Sequence, residues 1–417
     1  MNCKNTLPTT GQDWANHLSH EVSGSGTICF AVALSKKPDI RILHEAAADV
    51  ITLQPVLGCI FDLSQDPPVW AFACDADWFT QAEVNDLEKG QNAFLQDAMA
   101  HGRQMEIRLL SCKEQHVLCV KFDHAATDGG GAKACLALLS DCYNRRCEGE
   151  KAPVPSSPDR SDAQVFARCG IADFRMALKR EAPPAGPMLT VPFHGTDGQT
   201  VLHRFVSLPL HAIRREGITV NDRLLAAYAL TLHEKSGNGS PAVIHMTVDL
   251  RRYLEEKAVP AACNLSGMES VTAALCPGQT FANTLLDIQA QTARLKSNRP
   301  GLGSAAMMAY LRTMPYLKVR EMLLDAARKT RQSGIAAPIL SNLGFISSEP
   351  MRFGDALVTS IVPLLPALHA PAFMLGAFSF GDTLTLSAGF YGEERDAENV
   401  EKLLQAIRDR LLKREEA

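Results

Sequence analysis

Several features that would point to nucleic acid or to a bound metal are missing from this sequence. The basic residues are dispersed, with only short pairs such as Arg145-Arg146, and the formal net charge is −4, so no stripe of charge could follow a phosphate backbone. The 12 cysteines include no CxxC pair, which argues against a zinc site and indicates a reducing compartment. P-loop, HExxH and GxSxG motifs are also absent. We therefore expect neither a nucleic-acid partner nor a metal.

Uninterrupted apolar runs are absent as well. The first 20 residues lack the apolar core that a secretory signal needs. The most apolar segment, residues 360–380, is about as long as a membrane span, but Pro363, Pro366 and Pro371 would break a helix there. It is better interpreted as a buried strand and a loop. The sequence thus predicts a cytoplasmic protein with no transmembrane segment.

The composition is that of a folded globular protein. Hydrophobic residues make up 46% of the 417 residues and charged residues 21%, and a chain of this length exceeds the size at which one core stops growing. Residues 148–162 combine proline, serine and charge without periodicity, as exposed connections do, and residues 181–187 form a second such stretch. We predict an N-terminal lobe, residues 1–160, and a C-terminal lobe, residues 161–417.

Strand and helix patterns alternate along the chain, which predicts an α/β protein. Two β-rich runs, residues 104–111 and 115–123, have the spacing of an antiparallel hairpin. A helical pattern then extends from residue 129 to about 146. Further strands are predicted at residues 26–34, 68–73, 203–210, 242–250, 267–275, 337–345, 372–380 and 383–391, and further helices at 39–50, 220–235, 282–296, 316–331 and 398–414.

The segment VKFDHAATDGGGAKACLALL, residues 120–139, joins the hairpin to that helix. It places His124 at the end of a strand, where a neutral imidazole could act as a general base near pH 7. Asp128 follows four residues later, and the glycines from Gly129 onward allow a sharp turn before the helix. An ordinary surface or core histidine is the alternative at this point. The similar HGTDG, residues 194–198, is interpreted as a simple turn, and HLSHE, residues 17–21, as a solvated helix face because no third metal ligand accompanies its histidines.

The order strand, HxxxDG, helix resembles the signature of the condensation-domain and chloramphenicol acetyltransferase superfamily. Three later segments resemble further motifs of that superfamily: VDLRRYL at residues 248–254, CNLSG at 263–267 and SNLG at 341–344. Their order and spacing extend the resemblance over nearly the whole chain. It implies two chloramphenicol-acetyltransferase-like lobes, each a mixed sheet with flanking helices, related as a pseudo-dimer with a tunnel between them.

The resemblance also implies a chemistry and a set of site residues. His124 would deprotonate an alcohol or amine that attacks an acyl thioester, with no covalent acyl-enzyme. Asp128, followed by Gly129, would turn away from substrate and pair with Arg251. Ser341 and Asn342 are candidates for stabilising the oxyanion, with a strand-end turn as the alternative.

Asn264 is expected to brace the backbone of this site. No permanently bound cofactor is expected, since the co-substrate would be acyl-CoA or a phosphopantetheine thioester on an acyl carrier protein. The other partner would be a small-molecule acyl acceptor, and we expect a monomer.

One departure from the superfamily concerns the residue before the base. Many condensation domains carry a second histidine there, whereas this chain has Asp123, whose side chain could point to the opposite side of the strand. This departure and the lack of adjoining carrier domains favour a stand-alone ester- or amide-forming acyltransferase over a peptide-forming module. Two alternatives remain open: a non-catalytic binding module with the same fold, and a thioester hydrolase that uses the same base.

Overall fold

The computed structural model describes residues 6–73, 78–97, 99, 102–150, 159–178, 191, 195, 200–236, 241–255, 262–273, 278–346 and 350–413. The predicted connection at 181–187, the middle of that at 148–162, and His194 lie outside these residues. The strands are β1 (Thr6–Pro8), β2 (Thr27–Leu34), β3 (Cys59–Asp62), β4 (Val69–Phe72), β5 (Phe79–Glu83), β6 (Met105–Cys112), β7 (Gln115–Asp123), β8 (Val201–Pro209), β9 (Ala242–Asp249), β10 (Ser266–Ala273), β11 (Ile339–Phe345), β12 (Arg352–Phe353), β13 (Ala356–Leu364), β14 (Met374–Phe380) and β15 (Thr383–Tyr391). The helices are α1 (Gly11–Val22), α2 (Ile40–Leu53), α3 (Leu87–Gln96), α4 (Gly129–Cys147), α5 (Ala163–Arg168), α6 (Leu210–Ile213), α7 (Val220–Ser236), α8 (Phe281–Ser297), α9 (Leu302–Leu311), α10 (Tyr316–Ser333) and α11 (Glu394–Leu412).

Two six-stranded mixed sheets form the framework. The first has the order β12-β13-β2-β7-β6-β5, and the second has the order β10-β9-β11-β14-β15-β8. The predicted hairpin is confirmed, since β6 and β7 pair antiparallel from Met105 opposite Phe122 to Cys112 opposite Gln115. A small third sheet, β1-β4-β3, lies beside them. The predicted mixed α/β class is therefore confirmed.

The chain crosses from the second sheet back to the first near its end. Strand β13 pairs antiparallel with β2, although it belongs to the predicted C-terminal lobe, and β14 then returns to the second sheet beside β11. The apolar segment 360–380 is this crossing: a strand, a loop and another strand, as predicted. The boundary at residue 160 remains a prediction.

Helices cover both sheets with amphipathic faces. The buried residues of α11 recur at helical spacing, Val400, Leu403, Leu404, Ile407 and Leu411, and they join the core of the second sheet with α7 and α8. Helices α2 and α4 pack on the first sheet in the same way. Because both faces of β7 are covered, its residues 117–122 are all buried and, apart from Lys121, all apolar, rather than alternating.

The sequence analysis missed α3, α5, α6 and α9, and of α1 it recognised only a helix face at residues 17–21. The four missed helices are short, at 4 to 10 residues, so their apolar residues show little helical periodicity. Across the described ranges, no helix combines the length and apolarity needed to cross a membrane.

Candidate active site

The HxxxDG motif lies on the short connection between β7 and α4. The His124 N–H donates to the Gly26 carbonyl at 2.7 Å, just before β2 begins. Asp128 is the N-cap of α4, and its Oδ1 accepts a hydrogen bond from Gly131 N at 2.8 Å. Aspartate is favoured at this position because its side chain satisfies an N–H group that the first helical turn leaves free. Both ends of the loop are thereby fixed.

The ion pair between Asp128 and Arg251 is present and buried. Arg251 lies in a short 3-10 helix, Leu250–Tyr253, that follows β9, and its Nη1 is 2.9 Å from Oδ1 of Asp128. Only 4% of the Asp128 side chain and 12% of the Arg251 side chain are exposed. The Leu265 N–H also donates to Asp128 Oδ2 at 2.7 Å, and Arg251 Nη2 donates to the Cys263 carbonyl at 2.9 Å.

These contacts decide the charge state of Asp128. Burial by itself would raise the pKa of this carboxyl, but the guanidinium of Arg251 and the two backbone N–H donors hold it below its ordinary value. Burial would likewise lower the pKa of Arg251, and the Asp128 carboxylate raises it well above its ordinary value. Both groups are therefore charged near neutral pH, and neither is available for proton transfer.

Asn264 braces the backbone around the histidine. Its Nδ2 donates to the Ala125 carbonyl at 2.7 Å, to the His124 carbonyl at 3.1 Å and to Asp13 Oδ1 at 3.0 Å. Its Oδ1 accepts from Asn16 Nδ2 at 2.9 Å. The side chain is 2% exposed, and it points at the backbone of the loop rather than into the cavity described below.

Sequence reasoning missed two further braces, Asp13 and Arg160. Asp13 is fully buried and accepts from Trp70 Nε1 at 3.0 Å and from Arg160 Nη1 at 3.3 Å. Arg160 Nη2 also donates to the Ala126 carbonyl at 2.9 Å. The capping box that Asp13 forms with Thr10 is a sequence signal for the start of α1, but a single arginine in a polar connection carries no such signal.

A cavity of about 300 Å³ opens between the two sheets beside this loop. Six of the seven predicted site residues line it, and Asn264 lies behind it. The lining residues are Ile28, His124, Asp128, Gly129, Gly130, Thr247, Val248, Asp249, Arg251, Ser266, Ser341, Asn342, Leu343, Gly344, Leu365, Pro366 and Met374. Both sheets and the crossing segment thus contribute to the pocket, whose lining combines apolar side chains with polar and charged ones.

The imidazole of His124 lines this cavity without a hydrogen-bonding partner among the described side chains. Its Nδ1 is buried and makes no hydrogen bond of normal geometry within the described part of the chain. Burial lowers the pKa of His124, while its own carbonyl and the carboxylates of Asp128 and Asp123 offset this only in part. The imidazole is therefore neutral at pH 7 and able to accept a proton.

Ser341 and Asn342 are adjacent on β11 but differ in their contacts. The Asn342 amide is engaged by the protein, since its Oδ1 accepts from Gly344 N at 3.0 Å and its Nδ2 donates to Asn221 Oδ1 at 3.3 Å. Ser341 is 8% exposed, and none of the described groups hydrogen-bonds its hydroxyl. Ser341 is thus the freer donor, and Asn342 shapes the turn that ends the strand.

Gly129 marks the contact between the HxxxDG and SNLG segments. A Cβ at this position would lie 2.3 Å from Leu343 Cδ2, so only glycine fits beneath Leu343 without displacing it. Lys133, one turn along α4, donates to the Leu343 carbonyl at 2.7 Å. The two segments are therefore held together on one wall of the cavity.

Comparisons with known proteins bear on the fold. Protein-family models and curated protein sequences give no match. Polyketide synthase associated protein 5 from Mycobacterium tuberculosis superposes with a TM-score of 0.68 at 18% identity, over 99% of this chain and 98% of that one. The first condensation domain of the CDA synthetase gives 0.72 at 15% identity, over 99% and 97% of the two chains. The chain has the condensation-domain fold.

A third condensation-fold structure carries a ligand. It is a variant of the starter condensation domain of rhizomide synthetase in complex with C8-CoA, and it superposes with a TM-score of 0.67 at 15% identity over 98% of this chain and 95% of that one. The predicted resemblance to the condensation and chloramphenicol acetyltransferase superfamily is confirmed at the level of fold. Within the described ranges, no three His, Cys, Asp or Glu side chains cluster as a metal site requires.

Proposed function

We propose that this protein is an acyltransferase that moves an acyl group from a thioester to an alcohol or amine, with His124 as the general base. The observation that carries the proposal is the contrast at the loop: its backbone and Asp128 are fixed by hydrogen bonds, whereas the His124 imidazole lines the cavity and none of the described side chains hydrogen-bonds either of its ring nitrogens. The donor is acyl-CoA or an acyl carrier protein thioester, and the C8-CoA complex of a condensation-fold neighbour favours the former.

The proposed reaction uses two side chains that line the cavity, those of His124 and Ser341. Because Nδ1 is buried, Nε2 of His124 takes the proton of the acceptor hydroxyl or amine, and the acceptor atom forms a bond to the thioester carbonyl carbon. The Ser341 hydroxyl donates to the resulting oxyanion. The carbon–sulfur bond then breaks, and the imidazolium returns its proton to the thiolate, which leaves as a free thiol. Asp128 and Arg251 take no part in the proton transfer because both stay charged.

Release of free thiol from a panel of acyl-CoA thioesters, with and without added alcohols and amines, tests the proposal. His124→Gln should reduce the turnover number by about 10²- to 10⁴-fold, the usual contribution of a general base, with little change in the thermal transition. His116→Gln is the matched control, since His116 lies at the other end of β7, the strand that precedes His124, and pairs with Ser111 at 3.0 Å, away from the cavity. Full turnover by His124→Gln would refute the assignment.

Product identity separates the open alternatives. Mass spectrometry should find an ester or amide of the added acceptor. Free acid formed at the same rate with and without acceptors would indicate a hydrolase, and saturable thioester binding without any product would indicate a binding module. Ser341→Ala should lower turnover by about 10²-fold, as loss of an oxyanion donor does, whereas Asn342→Ala should act mainly on stability.

A further inference from the structure

Asp123, the residue before the proposed base, is tied to the end of α1. Its Oδ2 lies 3.1 Å from Nε2 of His20, and its Oδ1 accepts a hydrogen bond from Ala125 N at 2.8 Å. One carboxylate therefore holds both a histidine from a distant helix and the backbone immediately after His124. The side chain of Asp123 is only 13% exposed.

The second nitrogen of His20 reaches the backbone on the other side. Gly26 N–H donates to His20 Nδ1 at 3.4 Å, and the Gly26 carbonyl accepts from His124 N–H at 2.7 Å. Since Nδ1 accepts, this network assigns the ring proton to Nε2, which donates to Asp123. A continuous chain of hydrogen bonds runs from the Asp123 carboxylate through the His20 ring and Gly26 to the backbone of His124.

The packing at Gly26 shows how closely the His20 ring lies against the backbone. A Cβ on Gly26 would lie 2.7 Å from Nε2 and 2.9 Å from Cε1 of the His20 ring. Any larger residue would displace the imidazole. The HLSHE segment was predicted to be a solvated helix face; 37% of the His20 side chain is exposed, in keeping with that prediction, and its ring also packs against the backbone that precedes β2.

The charges around the pair are few and identifiable. His17, on the same helix, stacks on Phe61 with ring centroids 4.1 Å apart, and burial lowers its pKa. Glu21 faces Arg320 of α10 and hydrogen-bonds to it. Burial would lower the pKa of His20, but the hydrogen bond and charge of Asp123 raise it above its ordinary value. Asp123 also raises the pKa of His124 through its charge.

We propose that His20 and Asp123 are positioning residues for His124: together they clamp the backbone on both sides of it and so aim its imidazole into the cavity. This inference rests on the proposed function, in which His124 is the base. Neither side chain lines the cavity, so both act through His124 and not on substrate.

The test combines kinetics with a direct observation of His124. Asp123→Asn and His20→Ala should each lower the turnover number by roughly 10- to 100-fold, as small misplacements of a catalytic group do, with little change in KM for the thioester. The double variant should lose no more than the worse single variant, because both belong to one unit. His20→Gln, which keeps a donor toward Asp123, should recover part of the loss.

Histidine-selective NMR titration supplies a readout that a merely structural role would not move. The His124 resonance is assigned with His124→Gln, and Asp123→Asn should shift its pKa downward because a nearby carboxylate is lost. Asp382→Asn is the matched control. It removes an exposed His–Asp pair, His211 with Asp382, and should change neither turnover nor the His124 titration.

The outcomes separate this inference from the proposed function. If the wild-type protein transfers acyl groups and Asp123→Asn retains both its turnover and its His124 pKa, the inference is overturned and the proposed function stands. If the wild-type protein transfers no acyl group, the proposed function fails and with it the positioning role. In that case the titration still decides whether Asp123 and His124 are electrostatically coupled.

Discussion

Replacement of Asp128 should destabilise the protein far more than replacement of an exposed aspartate in the same helix. Asp128→Ala removes the buried partner of Arg251, whose side chain is 12% exposed, and leaves its guanidinium only the half-exposed carboxylate of Asp249, 3.2 Å from Nη1. Breaking a buried ion pair by removing one partner costs about 3–5 kcal/mol. The N-cap bond to Gly131, worth about 1 kcal/mol, is lost with the same side chain and overlaps with that figure. We expect a total of at least about 3 kcal/mol in the free energy of unfolding.

Asp141→Ala provides the control. Asp141 pairs with Arg145 at 2.9 Å on α4, but their side chains are 50% and 39% exposed, so the expected cost is roughly 0.3–0.5 kcal/mol. Urea denaturation followed by tryptophan fluorescence measures both variants. The reasoning is refuted if Asp128→Ala costs no more than Asp141→Ala. Adding Arg251→Met to Asp128→Ala should recover part of the stability, because the buried guanidinium that lost Asp128 is then removed as well.

The same pair predicts a pH dependence. The pKa of Asp128 in the folded protein lies below its ordinary value of 3.8, so its contribution to stability is fully present above that value and is lost as the pH falls through the folded pKa. The stability difference between the wild-type protein and Asp128→Asn should therefore be constant between about pH 5 and 7 and shrink below about pH 4. If the stability difference already declined between about pH 7 and pH 5, the assignment of the charge to Asp128 would be contradicted.

Two further outcomes are expected. Burial lowers the pKa of His124 below 6.5. The acid limb of the kcat/KM profile should therefore have its midpoint below pH 6.5, with a plateau at neutral pH. A midpoint above pH 6.5 would show that His124 is not the titrating base. Gly267→Ala should lower the free energy of unfolding by about 1–3 kcal/mol. Its Cβ would lie 2.4 Å from the Gly301 carbonyl oxygen and 2.5 Å from the Gly301 Cα, and neither backbone atom can rotate away. An unchanged midpoint in a urea titration would show that the backbones at Gly267 and Gly301 separate easily.

Local signals explain what could be predicted from the sequence. The hairpin β6–β7, the turn at Asp128 and the apolar face of α4 are all encoded within residues 105–147, where periodicity, an N-cap and glycines agree. The same holds for α8, α10 and α11, whose long amphipathic patterns made their existence and type predictable. Each motif could be recognised because all its residues are contiguous in the sequence. That the motifs meet at one cavity was implied by the family resemblance and not by the periodicity of the residues.

Long-range partners explain what was missed. Asn264 and Asp13 are 251 residues apart, and a buried carboxylate near the N-terminus looks in sequence like any other helix-capping residue. The pairing of β13 with β2 was equally hidden, because an apolar strand pattern shows that a strand is buried but not which sheet receives it. The contacts of His20 with Asp123 and Gly26 were missed for the same reason: a histidine at helical spacing carries no sign of the loop that packs against it.

The distribution of hydrogen bonds around residues 123–128 suggests why one loop needs so many distant contacts. A general base must keep an unpaired nitrogen toward the cavity, so its own side chain contributes little to its position, and the backbone must be held by other groups. Asn264 and Arg160 hold the carbonyls of residues 124–126, Asp128 is fixed by Arg251 and Leu265, and Gly26 holds the N–H of His124. Since these braces come from both halves of the chain, a small shift between the two sheets would move the loop. Coupling the base to both sheets in this way links the orientation of His124 to the width of the cavity in which it acts.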